Sequence, residues 1–169
     1  MFNSFFPDTR KTSTYQIEFE KLYEKGYRGV IFDIDNTLVE HGKDATEQAR
    51  QLFVRLKSIG FESCLLSNNK EERVVRFNRD IQTNYISKAG KPSGKNYKKA
   101  MELMGTTIEN TVFVGDQLFT DVWGAKRLGI YNILVAPIDK KEEIQIVLKR
   151  YLERIVLYFY EKEKRKLEK

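Results

Sequence analysis

The chain has 169 residues, 30 Lys and Arg against 24 Asp and Glu, a net charge of +6, and is 41% hydrophobic and 32% charged. This length fits a single domain across 1–169; with no apolar run of about eighteen residues, a spanning helix is not expected. The single cysteine, Cys64, excludes an internal disulfide, and with no secretory signal legible in MFNSFFPDTRKTS a reducing, cytoplasmic setting is the expectation.

Ile17 to Lys25 reads as a short helix stopped by Gly26, and Arg28 to Phe32 as a buried strand. Asp44-Ala-Thr-Glu47 has the form of a capping box, followed by a helix with Leu52, Phe53, Leu56 and Ile59 on its apolar face and a stop at Gly60. Phe61 to Leu66 is the next strand, and Cys64 within it reads as a small buried hydrophobe. Asn69 is expected to cap a helix with Val74, Val75 and Phe77 inside and Glu71, Glu72, Arg73 and Arg76 outside.

Tyr85-Ile86 is a short strand, Lys91-Pro92-Ser93-Gly94 a loop, and 96–104 a helix. Thr111 to Val114 is a strand running into Gly115-Asp116, then come a helix near Val122 to Leu128, a stop at Gly129, and a last strand, 132–136. Strands alternating with helices predict an α/β fold: a doubly wound parallel sheet of Rossmann-like form. Residues 140–169 are expected to form a C-terminal helical extension.

In such sheets ligands bind beyond the carboxyl ends of the strands. Four polar sets fall on that edge: Asp33 with Asp35, Ser67, Lys91, and Asp116 with Asp121. Clustered carboxylates call for a counter-cation, and oxygen ligands suit Mg²⁺. Lysine and serine complete a phosphate cradle, while one aspartate can attack phosphorus and another move the proton.

The ordered set Asp33-Ile-Asp35-Asn-Thr37, Ser67-Asn68-Asn69, Lys91-Pro92 and Gly115-Asp116-Gln-Leu-Phe-Thr-Asp121 resembles the haloacid dehalogenase (HAD) superfamily over about residues 28–138. The run on to Gly129 resembles the YqeG-type branch of its IIIA subfamily, in which some relatives dephosphorylate phosphatidylglycerophosphate. The resemblance implies a magnesium-dependent phosphomonoester hydrolase working through an aspartyl-phosphate. It makes Asp33 the nucleophile and a metal ligand, and Asp35 the acid and then the base, lending its backbone carbonyl to the metal. Ser67 and the Asn68 amide would bind the phosphoryl group, Lys91 would offset its charge, and Asp116 would hold magnesium. Asp121 would reach the metal, act through water, or orient Lys91.

Other readings fit less well. A calcium loop starting at Asp33 would need glycine where Leu38 stands and glutamate where Asp44 stands. A receiver domain concentrates its acids early, whereas two acids here follow the lysine. Thr37 is expected to bond within the first loop, and His41, the one histidine, to be an exposed loop residue.

Residues 37–67 and 67–91 leave no room for a substantial cap domain, so the site would admit a phosphorylated small molecule or a phospholipid headgroup. The alternatives are a soluble sugar or nucleotide phosphatase, or a non-catalytic phosphate- or RNA-binding protein using the lysines between Lys88 and Lys99. Nucleic acid is not the expected partner, because a pure anion binder gains nothing from acids beside its ligand. In 142–160, Ile144, Leu148, Tyr151, Ile155 and Phe159 recur at helical spacing. Packing on the core or in a homodimer is expected there, with shallow docking on an anionic membrane as the alternative, and Phe2, Phe5 and Phe6 could join either.

Overall fold

A computed structural model describes residues 3–139 and 144–167. Six parallel strands, β1 (Thr9–Lys11), β2 (Gly29–Phe32), β3 (Glu62–Leu66), β4 (Asn84–Ile86), β5 (Thr111–Gly115) and β6 (Tyr131–Val135), form one sheet in the order β1-β6-β5-β2-β3-β4. The helices are α1 (Phe19–Glu24), α2 (Glu47–Ile59), α3 (Glu71–Asn78), α4 (Lys95–Met104), α5 (Trp123–Leu128) and α6 (Ile144–Leu167). The chain winds outward from β2 through β3 to β4, then returns to β5 on the other side. The switch point therefore lies at the carboxyl end of β2, where β3 and β5 diverge.

The strand sequences alternate between two cores, as a sheet covered on both faces requires. Val30, Phe32, Leu65, Val112 and Val114 pack with Phe19, Leu52, Phe53, Leu56, Val74 and Phe77 of α1, α2 and α3. Ile31, Cys64, Leu66 and Phe113 pack on the opposite face with Tyr97, Ala100, Met101 and Met104 of α4 and Ala125 of α5. Burial pushes the Cys64 thiol up to about 12, so it is a packed hydrophobe. Only α2 separates β2 from β3 and only α3 separates β3 from β4, so no cap domain interrupts these crossovers.

Several local expectations are corrected. Thr46, not Asp44, caps α2: its hydroxyl accepts from the Ala49 amide, while Asp44 pairs with Arg76 at 2.7 Å. Asn69 does not cap α3. Lys70 holds that place without a side-chain bond, and the Asn69 amide reaches Asp35 instead. Within α3, Val75 is exposed and Arg73 buried, the reverse of the expected faces.

The strand β1 was not expected. It extends the sheet beside β6, with Thr9 opposite Ile133 and Lys11 opposite Val135. Its charged residues suit an edge position. In α6, Leu148, Tyr151, Ile155 and Phe159, for which packing on the core, in a homodimer or on a membrane was expected, are exposed and do not join the core, whereas Glu153 and Val156 are buried. Val156, with Leu157 and Tyr160, packs against Phe6, Leu118, Val122 and Leu134. Phe5 contacts Phe119 and Trp123, and Phe6 meets Tyr160 edge-on. Phe2 and the expected start of the helix at 142–143 lie outside the described residues.

Candidate active site

Backbone bonds carry the strand ends into one crevice. The Asp33 amide donates to Val114 O at 3.0 Å, extending β2 along β5, and the Ser67 amide donates to Ile86 O at 3.0 Å, extending β3 along β4. The loop after β4 is then fastened to the loop after β3. Lys88 N–H donates to Asn69 O, Ala89 N–H to Ser67 O, and Lys91 N–H to Asn68 Oδ1 at 2.7 Å. The Asn68 side chain returns a bond to Lys91 O, so it clamps the lysine loop.

Lys91 Nζ lies 2.6 Å from Asp33 Oδ1 and 2.7 Å from Asp121 Oδ1. Burial pushes the ammonium's pKa down, but the Asp121 and Asp33 carboxylates outweigh it and raise the value above that of an ordinary lysine. Lys91 is therefore a fixed positive charge. Asp121 sits in a π-helical turn, Leu118–Val122, and its second oxygen accepts from the Gln117 amide at 3.1 Å. Both of its oxygens are thus engaged, one in orienting Lys91.

Thr37 Oγ1 donates to Asp116 Oδ1 at 3.0 Å and lies 3.4 Å from Asp33 Oδ2, tying the first loop to the fourth. Arg150 of α6 bonds both the carboxylate and the backbone oxygen of Asp116, while Glu153 accepts from the Leu118 amide at 2.8 Å. Nothing in the residue pattern of α6 signals this reach into the site.

Asp33, Asp116 and Asp121 offer carboxylate oxygens that all lie within 4.8 Å of one another. Burial, then the neighbouring acids, raise Asp33 to about 6 against the pull of Lys91, and raise Asp116 well above the usual carboxylate range despite Arg150. Glu153 is raised too, chiefly by burial. Negative charge exceeds what Lys91 and Arg150 neutralise, and every donor is a hard oxygen. The cluster fits a divalent cation.

Asp35 points another way. Its Oδ1 accepts from Gly42 N–H at 2.7 Å and Arg73 Nη2 at 2.9 Å, and its Oδ2 from Asn69 at 3.1 Å. Burial raises its pKa, but these three partners outweigh that and hold it below the usual value. Ser67 Oγ is buried and accepts from the Asn69 amide, leaving its own proton to donate. His41 is exposed and takes no part in these bonds. The structure thus gathers Asp33, Asp35, Ser67, Asn68, Lys91, Asp116 and Asp121, and adds Thr37, Asn69, Arg73 and Arg150.

Gly115 makes the close approach possible. A Cβ there would lie 2.5 Å from Asp121 Oδ2 and 2.6 Å from its Cγ. Because Asp121 is fully buried, Gly115→Ala must displace it and loosen Lys91. A loss of turnover of about tenfold or more is expected from this single methyl, measured by steady-state phosphatase assay beside a folding control.

A family model described as HAD-hydrolase-like matches residues 88–143. The chain is 38% identical over 154 residues to the probable phosphatase YqeG of Bacillus subtilis, covering 90% of each chain. It is 26% identical over 141 residues to phosphatidylglycerophosphate phosphatase 1 of Arabidopsis thaliana, covering 78% of this chain and 40% of that protein. The solved structure of the magnesium-bound HAD-hydrolase YfnB of Bacillus subtilis aligns with a TM-score of 0.53 and 13% identity, over 70% of this chain and 91% of that one. A six-stranded parallel sheet with buried acids at its switch point is the architecture of a HAD-type hydrolase. The chain belongs to the HAD superfamily, in its YqeG-type branch, and is a phosphatase.

Proposed function

We propose that the chain is a magnesium-dependent phosphomonoesterase that works through a phosphoryl group on Asp33, with phosphatidylglycerophosphate as its substrate. The observation that carries the chemistry is Lys91 held between Asp33 and Asp121, beside Asp116. Asp33 Oδ2 is the oxygen not committed to Lys91, and it attacks phosphorus as the ester oxygen leaves. Asp35 protonates that oxygen, then takes a proton from the water that cleaves the acyl phosphate. Ser67 Oγ, the Asn68 amide and Lys91 hold the phosphoryl oxygens. Asp33, Asp116 and the Asp35 carbonyl would hold the magnesium, which neutralises phosphoryl charge when bound. Asp121 serves by aiming Lys91.

The lipid assignment is supported by the similarity to the plant phosphatase, the crossovers without a cap and the positive net charge. Catalysis is tested with a generic aryl phosphate, on which both Asp33→Asn and chelation by EDTA should abolish turnover. An Asp33→Asn protein as active as wild type would overturn the mechanism. The substrate is tested separately, with the lipid phosphate in mixed micelles against soluble sugar and nucleotide phosphates; preference for a soluble compound would overturn the lipid assignment alone. Among the described residues no helix is long and apolar enough to cross a membrane. The proposed setting, cytoplasmic with peripheral access to the lipid, goes with the lipid assignment.

A further inference from the structure

The 24 residues of α6 make a rod about 36 Å long. Its inner side is committed: Arg150 and Glu153 bond the site, Val156 is buried, and Glu161 pairs with Arg10 at 2.6 Å. The opposite side carries Leu148, Tyr151, Leu152, Ile155 and Tyr158, which are 67%, 63%, 50%, 42% and 65% exposed. At 100° per residue these five side chains share one face. Continuing that face toward the C-terminus, the helical spacing brings up Lys162 and Lys166, with Arg165 beside them and Glu163 at the margin.

We propose that this face docks α6 in the plane of an anionic lipid bilayer, the five apolar side chains entering the interface and Lys162, Arg165 and Lys166 meeting lipid phosphates. The charge pattern selects this occupant over a second copy of the chain. Pairing two such faces in parallel would set Lys162 and Lys166 against themselves. Antiparallel pairing centred on Ile155 would set Lys162 against Leu148, with no acid to receive it. A bilayer takes both the apolar and the basic parts. The docked helix keeps Arg150 on Asp116, so the site lies within about one helix diameter of the lipid surface.

Docking does not depend on the catalytic reading, and the experiment keeps the two apart. The full chain is sedimented with vesicles of phosphatidylcholine, alone or mixed with phosphatidylglycerol, at low and high salt. Binding to the mixed vesicles is expected, weakened by salt and absent from the neutral ones, and unchanged in Asp33→Asn. The double variant Leu148→Asp with Ile155→Asp should weaken binding by about tenfold or more, and Lys162→Glu with Lys166→Glu by a similar factor. Both should retain wild-type circular dichroism and aryl phosphate turnover. Vesicle binding unaffected by either double variant would overturn the proposal. A dimer in analytical ultracentrifugation that Leu148→Asp with Ile155→Asp dissociates, with no vesicle binding, would overturn it in favour of a second copy.

Discussion

Lys91→Met and Asp33→Asn should both silence the enzyme while moving its stability in opposite directions. Removing Lys91 deletes the cation between two buried carboxylates, leaving Asp33 and Asp121 unpaired in the interior. Stranding buried charge in this way costs about 3–5 kcal/mol, and turnover should fall by roughly two to three orders of magnitude with the loss of the proposed donor to the phosphoryl oxygens. Asp33→Asn removes the proposed nucleophile, so turnover should fall by roughly three orders or more.

The stability effect of Asp33→Asn follows from the pKa of the parent residue. In the folded chain Asp33 is raised from 3.8 to about 6. A raised value means that its contribution to stability is fully present below the unfolded value and lost as pH rises through the folded one. Asparagine stays uncharged throughout, so the variant's advantage should open between about pH 4 and pH 6 and persist at neutral pH, on the order of 3 kcal/mol. Lys91 keeps Asp121 as its partner, so the variant strands no cation. Thermal denaturation of chelated protein at about pH 4 and pH 7 is the measurement. An Asp33→Asn protein less stable than wild type at both values would mean that the Lys91 pair outweighs the crowding of acids. Added magnesium should reverse the order, stabilising the wild type more than the variant.

How much of this was legible in sequence depended on whether a residue's partner was near its own motif. The runs Gly29–Phe32, Glu62–Leu66 and Thr111–Gly115 end abruptly in Asp33, Ser67 and Asp116, and the break in hydrophobicity announces both the strand end and the site. Parallel topology then brings these ends together without further information. Arg73 could not be found this way. In Glu71-Glu72-Arg73 a charged residue reads as solvent-facing, and its partner Asp35 is 38 residues away. The same holds for Arg150, 34 residues from Asp116.

In α6 the spacing of apolar residues predicted the helix and left open whether its apolar stripe meets the core, a second copy or a membrane; the stripe does not meet the core. Here the inner face is mixed: Arg150 and Glu153 complete a charged site while Val156, Leu157 and Tyr160 pack on the core, and the apolar stripe faces outward. Periodicity reports where the apolar face is; it does not say which way that face turns. β1 was hidden for a simpler reason, since Thr9–Lys11 is three residues long and two of them are cations.

Arg73→Gln should shift the alkaline limb of the rate profile to higher pH by about one unit. The proposed mechanism needs Asp33 ionised and Asp35 protonated, yet the surrounding protein groups set their pKa values in the opposite order. Asp33 is raised to about 6, and Asp35 is held below the usual range despite its burial, by Gly42 N–H, Arg73 and Asn69. The productive pair of protonation states is therefore a minor one before substrate arrives. Asp33 and Asp116 would hold a divalent cation that favours the Asp33 carboxylate, and Asp35 would be pushed up beside a substrate phosphate, which would restore the order. Arg73 limits the second of these shifts, because its guanidinium continues to favour the Asp35 carboxylate. With glutamine in its place Asp35 keeps its proton to higher pH, and the descending limb, which reports the acid, moves with it. The ascending limb, set by Asp33, should stay where it is. Because Arg73 is buried against Asp35, the assay must be read as a pH profile on folded protein; a loss of rate that is uniform across pH would indicate a structural role for Arg73 and would remove Asp35 as the proton donor.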